Sequence, residues 1–91
     1  MDGPPMAIAT PPVYQDHFER FACQAVMASI QPDPKGGVRI GVLGCTLRVA
    51  TPEAADALLA RAIALVDSGE TSCARALRYA NEMMPDGGTV Q

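Results

Sequence analysis

The stretch GGVRIGVLGCTLRVATPEAAD, residues 36–56, carries most of the local structural information in this chain. Apolar and polar residues alternate from 38 to 42 and again from 45 to 49, which is the period-two pattern of two half-buried strands. Leu43 and Gly44 lie between the two runs, and Gly44 suits a turn position with positive φ. The stretch therefore predicts an antiparallel β-hairpin.

The same alternation predicts the register of the hairpin. Pairing Val42 with Cys45 places the large apolar side chains of both strands on one face. It also sets Arg39 opposite Arg48 on the other face. Because opposed like charges destabilise a hairpin, we expect an acidic group to bridge the two arginines, unless they are simply solvated. That group would be a carboxylate of a partner protein, an internal carboxylate or a phosphate.

Three segments around the hairpin show helical periodicity. An aromatic stripe predicts a first helix from Val13 to Ile30. A second helix is predicted over residues 52–66, because Thr51 offers a capping hydroxyl and Pro52 has the φ of a first helical position. The third helix is predicted from about Ser72 to Met84.

The order helix, two-stranded antiparallel hairpin, helix, helix (αββαα) predicts a single small α+β domain at residues 13–84. Four prolines predict a flexible or extended N-terminal arm at residues 1–12, within which residues 6–10, MAIAT, are a candidate extra edge strand. Residues 85–91 are predicted to form a C-terminal tail. A lone two-stranded sheet is marginal in water, so the arm, the helices or a second copy of the chain must complete it.

Composition excludes several classes of function. The 91 residues include seven basic and ten acidic side chains, and the net charge of −3 gives no global field that attracts nucleic acid or an acidic membrane. No apolar run approaches the roughly 20 residues that span a bilayer. Three widely spaced cysteines are typical of reduced thiols, and the acidic N-terminus does not resemble an export signal. A cytoplasmic protein is expected.

No residue pattern predicts catalysis, a metal site or a cofactor. His17, the only histidine, has no serine or cysteine at a helical spacing from which it could activate a nucleophile. Cys45 alternates with Leu47 and is expected to point inward, and Cys73 falls on an apolar helical stripe. The glycines of residues 36–44 bracket a strand, whereas a phosphate loop joins a strand to a helix. The chain is therefore expected not to be an enzyme.

The outer side of the second predicted helix is unusually smooth. This face combines alanines with only four charged residues, Glu53, Asp56, Arg61 and Asp67. Small side chains of this kind either fill a small core or let another helix approach closely. The predicted partner-binding residues are Arg39 and Arg48 on the hairpin, together with four residues of this helix: Ala57, Ala60, Arg61 and Ala64.

These features predict a non-enzymatic protein-interaction module, acting as a small adaptor, a chaperone-like protein or a stoichiometric inhibitor of a larger bacterial machine. The bias towards Ala, Arg and Val indicates a bacterium or phage with a GC-rich genome, and phage anti-CRISPR proteins are inhibitors of comparable size. Another protein is the expected partner, and a homodimer is a further possibility. The alternative is a nucleic-acid-binding regulator that uses the Arg39 and Arg48 face, although nearby aromatic residues that would stack on bases are lacking.

Overall fold

The computed structural model describes residues 12–69, 71–84 and 89–90. Three helices and an antiparallel sheet make up this part of the chain, which confirms the α+β class but contains more strands than predicted. In chain order the elements are α1 (Gln15–Ala22), β1 (Ser29–Pro32), β2 (Val38–Val42), β3 (Cys45–Val49), α2 (Pro52–Asp67), α3 (Cys73–Glu82) and β4 (Thr89–Val90). The strand order in the sheet is β1-β2-β3-β4.

The β2–β3 hairpin has the predicted register. Val42 lies opposite Cys45 and Arg39 lies opposite Arg48. Gly44 has a φ of 98° in the connecting turn, a conformation that glycine adopts without a steric penalty. All large apolar side chains of the two strands are buried on one face of the sheet.

The first helix is shorter than predicted. It ends at Ala22 rather than Ile30, and residues 23–28 form a series of turns. Met27 has a φ of 57° there, which lies in the left-handed region and cannot continue a right-handed helix. The apolar spacing that predicted a long helix is therefore divided between α1 and the turns that follow it.

The end of that predicted helix is an edge strand. β1 pairs antiparallel with β2, and Ile30 lies opposite Ile40. Pairing with β2 satisfies backbone groups of β1 and half-buries Ile30, and these gains outweigh the helical periodicity of this short segment. Pro32 has no amide hydrogen and is tolerated at an edge.

The opposite edge carries two residues from the segment predicted as a C-terminal tail, residues 85–91. Thr89 lies opposite Arg48 and Val90 lies opposite Leu47, so this part of the segment extends the sheet. The predicted arm, residues 1–12, lies outside the described residues except for Pro12, and so does the candidate strand at residues 6–10.

The second and third helices begin where the sequence predicts. Thr51, the residue directly before Pro52, caps α2: its hydroxyl accepts a hydrogen bond from the amide of Ala54 at 3.0 Å. The Ser72 hydroxyl caps α3 in the same way by accepting from the amide of Arg75 at 3.3 Å. Each cap satisfies an amide that has no partner within its helix.

The helices cover the apolar face of the sheet. α2 lies between α1 and α3 and packs on β2 and β3, and its Leu58 and Leu59 are fully buried. Ala76 and Ala80 of α3 are also fully buried, so small side chains let the helices pack closely. None of the described helices combines the length and apolar character that a membrane crossing requires.

Candidate functional site

The two opposed arginines are bridged by an internal carboxylate, Asp33. Its Oδ2 lies 2.6 Å from Nε of Arg48 and 3.8 Å from a terminal nitrogen of Arg39. Arg48 also donates from Nη2 to the carbonyl oxygen of Gly36 at 3.0 Å. Of the three bridging groups considered from the sequence, an internal carboxylate is therefore the one the structure contains.

The loop between β1 and β2 holds Asp33 in place. The Asp33 amide donates to the carbonyl of Gly37 at 3.0 Å, and the Gly36 amide donates to the carbonyl of Asp33 at 2.9 Å. The Lys35 amide donates to Oδ1 of Asp33 at 2.9 Å, an arrangement common for aspartate in turns. Only 3% of the Asp33 side chain is exposed, so the carboxylate is fixed by both backbone and side-chain contacts.

These contacts favour the ionised form of Asp33. The hydrogen bond from the Lys35 amide holds the pKa of that carboxyl below its usual range, burial opposes this, and the hydrogen bond and charge of Arg48 and the charge of Arg39 lower the pKa further. A carboxylate that accepts backbone hydrogen bonds and faces cations is stabilised in its charged form. Asp33 is thus a permanent negative charge beneath the two arginines at neutral pH.

Because the folded-state pKa of Asp33 is lowered, its contribution to stability is present above the unfolded-state pKa and is lost as the pH falls through the folded-state value. We expect Asp33→Asn to lower the urea midpoint most at neutral pH, and the difference from the wild type to shrink as the pH falls below about 4. Urea titrations at a series of pH values measure this.

Arg39→Gln provides the control for that experiment. The charge of Arg39 contributes less to the lowered pKa of Asp33 than Lys35 or Arg48 does, so this variant should retain most of the acid response. An Asp33→Asn variant whose deficit stays constant from neutral to acidic pH would contradict the assignment.

The predicted residues of the second helix lie elsewhere. Ala57, Arg61 and Ala64 are exposed and Ala60 is half-buried. They belong to the helical layer, whereas Arg39 and Arg48 project from the opposite face of the sheet, as strand alternation requires. The two predicted groups are thus on opposite sides of the protein, and one compact partner surface cannot contact both.

An apolar surface lies at the turn end of the hairpin. Val26, Met27 and Leu43, here called the apolar patch, are 62%, 75% and 64% exposed. The Leu43 amide donates to the carbonyl of Val26 at 2.9 Å, which joins the turns after α1 to the hairpin. Exposed apolar side chains grouped in this way are typical of interaction sites.

The apolar patch borders a groove of about 380 Å³, here called the α3 groove. Val26 and Leu43 form one side, and Val66 of α2 with Cys73 and Ala74 of α3 form the other. Four separate chain segments therefore contribute to the groove, and no local sequence pattern indicates it.

Met27, which follows the groove residue Val26 in sequence, has a positive backbone φ. Met27 is the only non-glycine residue with positive φ among the described residues, a conformation that disfavours side chains by about 1–2 kcal/mol. Such strain persists where surrounding contacts enforce it and is frequent at functional positions. Here it accompanies the most exposed large apolar side chain of the described chain.

A second depression, of about 420 Å³, adjoins the α3 groove. It is lined by Arg75, Arg78, Tyr79 and Glu82, and it shares Ser72 and Ala74 with the groove. The groove therefore continues across the first turn of α3 into a surface with two arginines and one glutamate, which carries a net positive charge.

The candidate catalytic groups have other contacts. His17 Nδ1 lies 2.5 Å from Oδ1 of Asp56, which links α1 to α2. Burial raises the pKa of the Cys45 thiol, with a smaller opposing effect of Arg78, and burial also raises the pKa of Cys73. Cys45 points inward as predicted. Both thiols are held in the protonated form, which is the unreactive one.

No metal-binding cluster of three or more His, Cys, Asp or Glu residues occurs in the described part of the chain. No protein-family model matches the sequence, and neither curated proteins nor solved structures gave a significant match. Function must therefore be inferred from the surface itself.

Proposed function

We propose that this protein is a non-enzymatic module that binds another protein, as a small adaptor, a chaperone-like protein or a stoichiometric inhibitor. The observation that carries the proposal is the exposed apolar patch of Val26, Met27 and Leu43 beside the α3 groove. Removing such side chains from water on binding contributes roughly 25 cal/mol per Å² of apolar surface. The flexible thioether side chain of Met27 adapts to the shape of a partner.

The neighbouring charges indicate the chemistry of the partner. Arg75 and Arg78 line the depression that shares Ser72 and Ala74 with the α3 groove. A complementary segment presents apolar side chains to the groove and one or more carboxylates to these arginines. Complementary charges of this kind favour encounter and orientation. The proposed occupant is thus an apolar protein segment with adjacent acidic residues.

The proposed setting is the cytoplasm of a bacterium or of a phage-infected cell. The Ala, Arg and Val bias supports a GC-rich genome, and free thiols at Cys23, Cys45 and Cys73 suit a reducing compartment. A component of a larger bacterial machine, of the kind that phage anti-CRISPR proteins inhibit, is one such partner.

The test compares capture of proteins from nuclease-treated bacterial lysate by the wild type and by Leu43→Ser. We expect one stoichiometric partner and a loss of at least about tenfold in its affinity for Leu43→Ser, the effect of about 1.4 kcal/mol at one central apolar contact. Binding of the purified partner is then measured by calorimetry, and urea titration shows that the variant is folded.

Ala64→Ser is the matched control, because Ala64 is exposed on α2 away from the apolar patch. It should bind like the wild type. A partner that tolerates Leu43→Ser but is lost with Arg39→Gln would contradict the proposal and assign binding to the sheet face. Self-association abolished by Leu43→Ser would identify a second copy as the occupant instead. Recovery of nucleic acid alone would favour the regulator hypothesis.

A further inference from the structure

We propose that the open face of the sheet contains a binding site for a terminal phosphate group, either esterified or free. The site lies at the end of the hairpin away from the Leu43 turn, so it is separate from the α3 groove and independent of the proposed function. Asp33, Lys35, Arg39 and Arg48 line a concave surface of about 350 Å³ there.

The charges of this site are unbalanced. Three cationic residues and the single carboxylate of Asp33 line this surface, which leaves two uncompensated positive charges in a chain whose net charge is −3. Asp33 is already engaged by the Lys35 amide and by Arg48. A phosphate monoester carries a charge between about −1.5 and −2 at pH 7 and therefore balances the excess.

The two arginines differ in how far their donors are used. Arg48 is oriented by Nε against Asp33 at 2.6 Å and by Nη2 against the carbonyl of Gly36 at 3.0 Å. Arg39 has only the 3.8 Å approach to Asp33. The buried Nε of each arginine has no hydrogen-bond acceptor of good geometry among the described residues, although that of Arg48 lies within ion-pair distance of Asp33. One guanidinium is thus held in place and the other has unused donors.

Paired guanidinium groups match the geometry of phosphate oxygens, because their planar donors form parallel charge-assisted hydrogen bonds. A nucleic-acid backbone is a poorer match, since each phosphodiester carries one charge and strong binding needs a longer basic track or stacking aromatics. The described strand neighbours on this face, Ser29, Gln31, Gly41 and Thr46, offer neither. The observations therefore favour a terminal phosphate over a chain of phosphodiesters.

The experiment is an NMR titration of the full chain with phenyl phosphate and, separately, with inorganic phosphate, following the arginine Nε–H resonances. We expect saturable shifts at Arg39 and Arg48 that weaken as ionic strength rises. Arg39→Gln should raise the dissociation constant about tenfold, the effect of losing one charge-assisted hydrogen bond. Arg20→Gln, on α1, removes an exposed arginine outside the site and should leave the constant unchanged.

The two probes distinguish the source of the phosphate. Tighter binding of phenyl phosphate indicates an esterified group, and tighter binding of inorganic phosphate indicates the free anion; both support the site. Shifts that do not saturate, or an equal effect of Arg39→Gln and Arg20→Gln, would overturn it. Tighter binding of an oligonucleotide without terminal phosphates would also overturn it, in favour of a phosphodiester surface.

Discussion

Gly37→Ala is expected to destabilise the protein by about 3–4 kcal/mol, the sum of a left-handed backbone conformation and a steric clash. Gly37 has a φ of 87°, and a Cβ at this position would lie 2.2 Å from the carbonyl oxygen of Val49. That oxygen belongs to the backbone at the end of β3, so it cannot move without disturbing the hairpin. The loss is a large part of the roughly 5–15 kcal/mol that stabilises a typical protein.

Gly36→Ala separates the two contributions. Gly36 has a φ of 99°, but a Cβ there would have no neighbour within 4 Å. This variant should lose only the conformational part, about 1–2 kcal/mol. Urea denaturation followed by circular dichroism measures both values. Equal losses in the two variants would show that the close approach to Val49 contributes nothing.

Leu47→Ala is expected to cost about 3–4 kcal/mol, within the range for removing a buried leucine side chain. Leu47 is fully buried, lies opposite Ile40 and belongs to a strand between two paired neighbours. The sheet backbone around it cannot collapse into the space that the side chain leaves. A cavity therefore remains, and its lining loses dispersion contacts.

Leu43→Ala is the control with the same chemical change. Leu43 is 64% exposed and only four residues away in sequence, so its truncation should change stability by less than about 0.5 kcal/mol. The two free energies of unfolding come from urea titrations under identical conditions. A comparable loss in Leu43→Ala would mean that the apolar patch supports the fold and is not available to a partner.

The hairpin and the starts of two helices could be predicted because each depends on neighbouring residues. Alternation from 38 to 49 specifies both strands and the buried face of each, the two-residue turn at Leu43 and Gly44 specifies their pairing, and Thr51 with Pro52 specifies the beginning of α2. β1 could not be found in this way. Its four residues are too few to show a period, and its conformation depends on pairing with β2.

Because β1 was predicted as the end of a helix, part of the candidate site could not be predicted either. An acidic partner for Arg39 and Arg48 was expected from their opposition, but Asp33 could be placed beside them only once Ser29–Pro32 was known to be a strand. His17 and Asp56 meet across 39 residues. The α3 groove combines four chain segments. Neither the groove nor the pair of His17 and Asp56 therefore has a local sequence signal.

The position of Asp33 has a consequence for how the strands select their alignment. Sliding β3 by two residues along β2 would keep every apolar side chain on the same face, so hydrophobic patterning alone does not exclude that arrangement. Arg48 would then lie opposite Gly37 or Gly41 rather than Arg39, and its contacts with Asp33 and Gly36 would be broken. The buried carboxylate of Asp33 thus favours the observed register over shifted registers that bury the same apolar side chains.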